Sequence, residues 1–173
     1  MKILHVGCGN EKLPDFFGPG PHEEVRLDAS PEFNPDIVAD MTKLGDIGKF
    51  DGVYSCHSLE HVAIWEVYEV LTGFKRVLNP GGFVLIIVPD LEGVLPNGDV
   101  VYHCDTGPIT GLDMYYGHAG SVQMSPWMQH KCGFTADTLE WALKNAGFPV
   151  VETKRIQSHH SVMGVGKLNG ELN

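Results

Sequence analysis

The chain has 173 residues, of which 43% are hydrophobic and 20% are charged. This length and composition suffice for one domain with a sizeable core, so we predict a single domain over residues 1–173. The formal net charge is −10, and the 12 lysines and arginines are scattered along the sequence. Because phosphate backbones are bound by clustered basic residues, this charge argues against nucleic acid as a partner.

Neither a membrane segment nor an export signal is expected. The longest apolar run, Phe83 to Val88, has the length of a strand, and Met1 leads directly into a strand pattern. The four cysteines are far apart and form no CxxC pair, which is typical of reduced intracellular proteins. They are Cys8, Cys56, Cys104 and Cys132. We therefore predict a cytoplasmic protein with no membrane partner, and we leave a homodimer open.

A glycine turn follows the first predicted strand. The apolar run from Ile3 to Val6 ends in Gly7-Cys8-Gly9, the pattern of a buried parallel strand that enters a tight turn. Glycine tolerates unusual backbone dihedrals, and without a Cβ it lets a ligand approach the backbone. The turn is therefore a candidate binding element. Residues 11–21, which follow it, show little periodicity and allow at most one helical turn.

Three further predicted strands also end in polar residues. Residues 24–28 and 36–40 each end in an aspartate, and residues 50–56 lead into His57. In a doubly wound parallel sheet, ligands bind outside the carboxyl ends of the strands, where the strand order reverses. We therefore expect these strand ends to converge with the glycine turn on one crevice.

Helical periodicity predicts two longer helices. Apolar residues recur at the 3.6-residue period over residues 59–78, with Ser58 as a candidate N-cap. Thr135 caps a second predicted helix over residues 135–146.

The remaining apolar runs predict strands. Residues 83–90 read as a central parallel strand, and residues 148–156 and 161–168 read as a closing hairpin. Strands that alternate with helices indicate an α/β fold with a doubly wound sheet.

The segment from Leu91 to Gly133 is irregular. A loop of this length in a compact domain is usually functional or contains short helices, so we predict a variable substrate or lid segment over the crevice. Its large apolar and aromatic residues are candidates for that lid: Tyr102, Tyr115, Tyr116, Trp127 and Met128. The alternative is a folded loop that packs on its own domain or on a second subunit.

Six segments, in order, resemble the class I S-adenosylmethionine-dependent methyltransferases, and most closely a compact branch with a GCGN turn. They are LHVGCGN, VRLDAS, IVADMTKL, FDGVYSCHSLEHV, VLNPGGFVLIIVPD and FTADTLEWALKNAGF. The resemblance implies a Rossmann-like seven-stranded sheet with an antiparallel last strand, in a three-layer α/β/α arrangement. It also implies S-adenosyl-L-methionine as the cofactor.

The same resemblance implies cofactor-binding roles for the strand ends. The glycine turn would line the methionine part, and the acid after the second strand would accept hydrogen bonds from both ribose hydroxyls. The third strand end would contact adenine, and the fourth would lie near the sulfonium. In that order the residues are Gly7, Cys8 and Gly9; Asp28, with Ala29 and Ser30 beside the adenosine; Asp40 and Met41; and Ser55 and His57.

Two features depart from the family pattern. His5 stands where the family often has an acid, and the first helix is much reduced. They leave open a catalytically inactive binding or interaction module as the alternative function. A nicotinamide or flavin site is a further alternative, because Asp28 follows the glycine turn by about 20 residues. However, Lys12 stands where the third glycine of that fingerprint would be.

The expected reaction is methyl transfer to the oxygen or nitrogen of a small-molecule or sugar-like acceptor. An imidazole is suited to accept the proton that such an acceptor loses. His57, at the mouth of the fourth strand, and His130, near the end of the irregular segment, are the catalytic candidates. No metal is expected, because the histidines and cysteines lack CxxC or HxxxH spacing there.

Overall fold

Most of the strands belong to one mixed sheet in the computed structural model, which describes residues 1–17, 20–105 and 107–169. In chain order the strands are β1 (Lys2–Val6), β2 (Glu23–Asp28), β3 (Ile37–Val38), β4 (Phe50–Cys56), β5 (Leu78–Pro89), β6 (Val100–Cys104), β7 (Gly107–Thr110), β8 (Val150–Ile156) and β9 (Ser161–Lys167). Of the segments predicted to be irregular, residues 18, 19 and 106 lie outside the described residues.

The main sheet has seven strands in the order β3-β2-β1-β4-β5-β9-β8. Every neighbouring pair is parallel except the two that include β9, which is antiparallel to β5 and to β8. The predicted Rossmann-like sheet with an antiparallel last strand is therefore confirmed. The strand order reverses between β1 and β4, so a ligand site is expected outside the carboxyl ends of these two strands. Strands β6 and β7 pair separately as an antiparallel hairpin.

The two longer helices cover one face of this sheet. In chain order the helices are α1 (Val67–Arg76), α2 (Gly111–Tyr116), α3 (Ala119–Met124) and α4 (Ala136–Asn145). Phe74 of α1 and Leu143 of α4 are fully buried in the same apolar cluster as Val84 of β5. Thr135 caps α4 as predicted, in a reciprocal capping box with Thr138. In the described part of the chain, no helix combines the length and hydropathy needed to cross a membrane.

The opposite face of the sheet has a thinner cover. Ile3 and Tyr54 are buried there, and they pack against Leu13 and Phe17 from the connection between β1 and β2. The helical structure described in this connection is a single 3-10 turn, Asp15–Phe17. The prediction of at most one helical turn is thus confirmed for the described residues.

The predicted helix over residues 59–78 is wrong at its start, because α1 begins at Val67. The first three residues of the predicted helix, Leu59–His61, form a 3-10 turn. Val62 then has extended backbone with φ −94° and ψ 155°. Ser58, the expected N-cap, donates its hydroxyl hydrogen instead to the carbonyl oxygen of Val6, at 3.3 Å. The apolar residues of the turn are buried like those of a helix, so their spacing could not distinguish the two.

Two strand boundaries also differ from the sequence prediction. Strand β5 begins at Leu78, because Phe50 pairs with it before the register of β4 and β5 shifts. Strand β3 is limited to Ile37 and Val38, at the edge of the sheet.

His5 gives the fold a pH dependence. Its side chain is 2% exposed, and its Nδ1 lies 2.7 Å from Oε1 of Glu24. Burial lowers the pKa of His5, and the opposing effect of Glu24 is smaller. The unfolded chain binds a proton at this residue near pH 6.5, roughly the ordinary histidine value, whereas the folded chain resists it. The contribution of His5 to stability is therefore present above this pH and is lost as the pH falls.

We expect His5→Gln to flatten the pH dependence of the unfolding free energy below about pH 6.5, because glutamine does not titrate. Urea denaturation at a series of pH values measures the slopes. His159→Gln, at an exposed position, is the matched control and should keep the wild-type slope. Parallel curves for wild type and His5→Gln would contradict the assignment.

Candidate functional site

A cavity of about 640 Å³ lies outside the carboxyl ends of β1, β2 and β4. This volume is within the range of small-molecule sites. Residues from the glycine turn and from three other strand ends line it. Those predicted from the sequence are Gly7, Cys8, Gly9, Asp28, Ala29, Ser30, Asp40, Met41 and His57. The expected convergence of these strand ends on one crevice is therefore seen in the structure.

The glycine turn is closely packed at Gly7 and open at Gly9. Gly7 and Gly9 have positive φ values of 66° and 48°, in the left-handed region that favours glycine. A Cβ on Gly7 would lie 2.4 Å from Cβ of Ser58, whereas a Cβ on Gly9 would meet no described atom within 4 Å. The backbone N–H groups of Gly7 and Cys8 both donate to the carbonyl oxygen of Leu27, at 2.9 and 3.2 Å.

Asp28 ties the glycine turn to the end of β2. Its Oδ2 accepts a hydrogen bond from the Gly9 N–H at 2.9 Å, and its Oδ1 accepts one from the Ser30 N–H at 2.9 Å. Arg26 donates from its guanidinium to the carbonyl oxygen of Gly9. A carboxylate has about four acceptor positions, so Asp28 retains acceptor capacity toward the cavity.

Asp40 stands at the beginning of a 3-10 turn that also contributes Met41 to the wall. Its Oδ1 accepts hydrogen bonds from the N–H and the hydroxyl of Thr42, at 2.9 and 2.8 Å. Leu27 and Phe33 line the same cavity and add apolar surface to it.

The residues at the end of β4 divide between the wall and the interior. Ser55 is fully buried behind the wall, and its Oγ lies 2.5 Å from Oγ of Ser58. His57 lines the cavity with a side chain that is 44% exposed, and its φ is 49°. Left-handed backbone at a residue other than glycine is costly, and such conformations cluster at functional sites.

His57 lies beside the buried carboxylate of Glu60. Nδ1 of His57 is 3.4 Å from Oε1 of Glu60, whose side chain is 1% exposed. Burial lowers the pKa of His57, but the Glu60 carboxylate outweighs this effect, so that the pKa is raised overall. Burial likewise raises the pKa of Glu60, and the neighbouring His57, His61 and His130 outweigh it, so that the pKa is lowered overall.

His130 lies one layer behind the cavity wall. Its ring centroid is 5.1 Å from that of His61, which does line the cavity. Nδ1 of His130 donates to the carbonyl oxygen of Met114 at 2.9 Å, and burial lowers the pKa of this histidine. The catalytic role of His130 stays a prediction, and this histidine is not among the residues that line the cavity.

The irregular segment supplies the remaining wall through α3 and the turn that follows it. Trp127 and Met128, two of the predicted lid residues, line the cavity. Tyr102 and Tyr115 instead pack in a separate apolar cluster, and Tyr116 is largely exposed. The lid role of the segment stays a prediction.

The two ends of the irregular segment are held together. The N–H of Leu91 donates to the carbonyl oxygen of Phe134 at 2.9 Å. Asp90, which is 2% exposed, lies 2.5 Å from Nε of Arg155 through its Oδ2. The segment therefore leaves the sheet at Leu91 and returns beside the same point at Phe134.

Several wall residues were not predicted. They are Asn10, Glu11, Phe33, Thr42, Val62, Glu66, Ser121, Met124, Ser125 and Lys131, among others. Asn10 and Glu11 directly follow the glycine turn, and that adjacency is a signal that could have identified them. Glu66 was missed because the predicted helix included it, whereas in the structure it directly precedes α1.

The sequence also matches a known protein family. Residues 1–153 match the protein family described as "Methyltransferase domain". The chain belongs to the class I S-adenosylmethionine-dependent methyltransferases. S-adenosylmethionine is the cofactor of this family, as the resemblance implied. The assignment to a compact GCGN branch stays a prediction.

Solved methyltransferase structures share this fold at low sequence identity. An S-adenosylmethionine-dependent methyltransferase from Clostridium acetobutylicum is 13% identical with a TM-score of 0.67, over 98% of this chain and 84% of that one. A second, from Mesorhizobium loti, is 17% identical with a TM-score of 0.66, over 96% and 90%. No curated protein matches the sequence.

A third methyltransferase structure contains bound ligands. The 1,6-didemethyltoxoflavin-N1-methyltransferase of Burkholderia thailandensis has 1,6-didemethyltoxoflavin and S-adenosylhomocysteine bound. It is 17% identical to this chain with a TM-score of 0.65, over 96% of this chain and 70% of that one.

Gly7→Ala tests the packing of the glycine turn in this methyltransferase. The added methyl group would meet Ser58 at 2.4 Å, and φ at this position disfavours an L side chain. We expect the unfolding free energy to fall by about 2 kcal/mol. Gly45→Ala is the matched control, because its Cβ would enter open space. Chemical denaturation compares the two, and a Gly7→Ala protein as stable as wild type would contradict the packing.

Proposed function

We propose that this chain transfers the methyl group of S-adenosylmethionine to an oxygen or nitrogen atom of a small-molecule or sugar-like acceptor. The observation that carries the proposal is one cavity whose wall combines the glycine turn, Asp28 and His57 with α3 and Trp127. The first three match the cofactor side of the family pattern. The last two come from the irregular segment, which supports an acceptor side in the same cavity.

The residues around the glycine turn fit the cofactor. Open space in front of Gly9 lets a ligand approach the backbone closely. Asp28 retains acceptor capacity, and one carboxylate accepts from two vicinal ribose hydroxyls. Asp40 and Met41 line the same cavity and would contact adenine, with the acid accepting from its exocyclic amine.

The chemistry requires little from the protein beyond orientation. When bound, S-adenosylmethionine supplies a methyl group already activated on a sulfonium. The wall holds the acceptor in line and excludes water, and Trp127 and Met128 provide apolar surface for both tasks. His57 is our candidate to accept the proton that the acceptor loses, because it lines the cavity and is held beside Glu60.

The charge of the wall favours a neutral or basic acceptor. Glu11, Asp28, Asp40 and Glu66 line the cavity, whereas Lys131 is the basic side chain among the lining residues besides its histidines. A strongly anionic acceptor would meet this excess of carboxylates. The inactive-module alternative is not favoured, because both the matching family and the similar structures are methyltransferases.

Asp28→Asn tests the cofactor site. Loss of the charge should weaken S-adenosylhomocysteine binding by roughly 1–3 kcal/mol, the scale of a charged hydrogen bond. Isothermal titration calorimetry measures the affinity, and thermal melting checks the fold. Glu152→Gln, at an exposed position on β8, is the control and should bind like wild type. Unchanged affinity of Asp28→Asn would refute the ribose assignment, and a wild type that does not bind would refute the proposed function.

His57→Gln tests the proton acceptor. A screen of oxygen and nitrogen acceptors, with S-adenosylhomocysteine formation as the signal, first identifies a substrate for the wild type. We then expect kcat to fall roughly 100-fold or more, well beyond any change in S-adenosylhomocysteine affinity. His159→Gln controls for the loss of an imidazole at an exposed position. Wild-type kcat in His57→Gln would exclude this residue as the proton acceptor.

A further inference from the structure

We propose that Glu60, His61 and His130 bind one divalent transition-metal ion, of the zinc type, at the cavity wall. Their candidate ligand atoms all lie within 4.8 Å of one another. Two imidazoles and a carboxylate are a donor set that zinc and similar ions use in proteins. The sequence did not suggest this site, because His130 is far from the other two residues along the chain.

The carboxylate of Glu60 is buried without a hydrogen-bond donor. Its side chain is 1% exposed, and no group among the described residues donates to Oε1 or Oε2 with hydrogen-bond geometry. The His57 ring nitrogen approaches at 3.4 Å. A buried carboxylate that accepts no hydrogen bond is costly, and it is stabilised by any further positive charge placed beside it. A cation between Glu60 and the two imidazoles would neutralise it.

Both imidazoles direct Nδ1 toward a backbone carbonyl oxygen. Nδ1 of His61 lies 3.1 Å from the carbonyl oxygen of Gln129, and Nδ1 of His130 lies 2.9 Å from that of Met114. A carbonyl oxygen can only accept, so each Nδ1 carries a hydrogen, and in the neutral imidazole Nε2 is then the nitrogen available to a metal. Metal-binding histidines usually donate their other ring N–H to a carbonyl or carboxylate in this way.

The backbone brings the two ligand segments together independently of the ligand side chains. The N–H groups of Lys131 and Cys132 both donate to the carbonyl oxygen of Glu60, at 2.8 and 3.2 Å. His130 is thereby fixed beside the turn that carries Glu60 and His61. Around a tetrahedral zinc ion the ligand atoms are about 3.4 Å apart, so binding requires a small inward movement of the three side chains.

Three protein ligands leave one coordination position open. His61 also lines the cavity, so the ion would lie at the wall where the acceptor is expected. A metal at this place could bind the oxygen or nitrogen of the acceptor and lower its pKa. This consequence rests on the proposed function, whereas the metal site itself does not.

Zinc binding to the full chain, prepared without a histidine tag and stripped with a chelator, tests the proposal. Zn²⁺ is titrated against a chromogenic chelator, with neither cofactor nor acceptor present. We expect one ion per chain, and an affinity at least about 10-fold weaker in Glu60→Gln, His61→Ala and His130→Ala. His159→Ala, at an exposed position, is the control for non-specific histidine binding and should keep the wild-type affinity.

Thermal melting separates a lost ligand from a lost fold. His130→Ala is the decisive variant, because His130 lies behind the cavity wall. Its melting temperature without metal should stay close to that of wild type. Added Zn²⁺ should raise the melting temperature of wild type but not that of His130→Ala. If Glu60→Gln does not fold, His61→Ala and His130→Ala decide the outcome.

Two results would overturn the metal site: a wild type that binds no Zn²⁺, or a folded His130→Ala that binds it as tightly as wild type. The first result would mean that the neighbouring histidines alone stabilise the charge of the Glu60 carboxylate. Calorimetry with S-adenosylhomocysteine keeps the two proposals distinguishable. A chain that binds S-adenosylhomocysteine but not zinc refutes the metal site, and one that binds zinc but not S-adenosylhomocysteine refutes the proposed function.

Discussion

The contact between Gly7 and Ser58 is the constraint on which the site depends. The turn after β1 and the turn after β4 approach so closely that any side chain at Gly7 would collide with Ser58. This approach occurs at the point where the strand order reverses, and such a point is where a ligand crevice forms in a doubly wound sheet. It also sets the glycine turn, on the proposed cofactor side, next to His57, the proposed proton acceptor.

The turn after β4 then carries an unusual charge arrangement. A regular helix from residue 59 would have been compatible with the apolar spacing, but the extended backbone at Val62 ends the turn early. Glu60 is buried in this short turn, and His57, His61 and His130 surround it. A buried carboxylate needs compensation, and here imidazoles supply the neighbouring groups. The candidate proton acceptor and two of the three candidate metal ligands therefore lie within residues 57–61.

The two faces of the sheet are covered unevenly. One face carries α1 and α4, whereas the other is covered near β1 by Leu13 and Phe17. The described part of the connection after β1 forms a single 3-10 turn, and α3 and the turn with Trp127 supply part of the cavity wall. The irregular segment can do this because its ends are closed by the Leu91–Phe134 hydrogen bond.

The resemblance to a known family implied the antiparallel last strand of the sheet. The patterns in the sequence itself determined most of the strands, α4 and the strand ends that line the cavity. These features depend on local patterns: apolar runs for buried strands, a capping residue at Thr135, and polar residues where strands stop. Periodicity failed at residues 59–66, because a buried 3-10 turn and a helix present apolar residues at similar spacing. Ser55 is buried because β4 pairs with β1 on one side and with β5 on the other, and this pairing is not encoded by a local pattern.

Only the tertiary structure decided the neighbours of Glu60. Its carbonyl oxygen accepts hydrogen bonds from Lys131 and Cys132, and these bonds set His130 beside His61. Ligand spacing along a chain can reveal a metal site when the ligands share one turn or helix. It cannot do so here, because Glu60 and His61 follow β4 whereas His130 lies near the end of the irregular segment. The distance between them is set by backbone hydrogen bonds between segments that are remote in sequence.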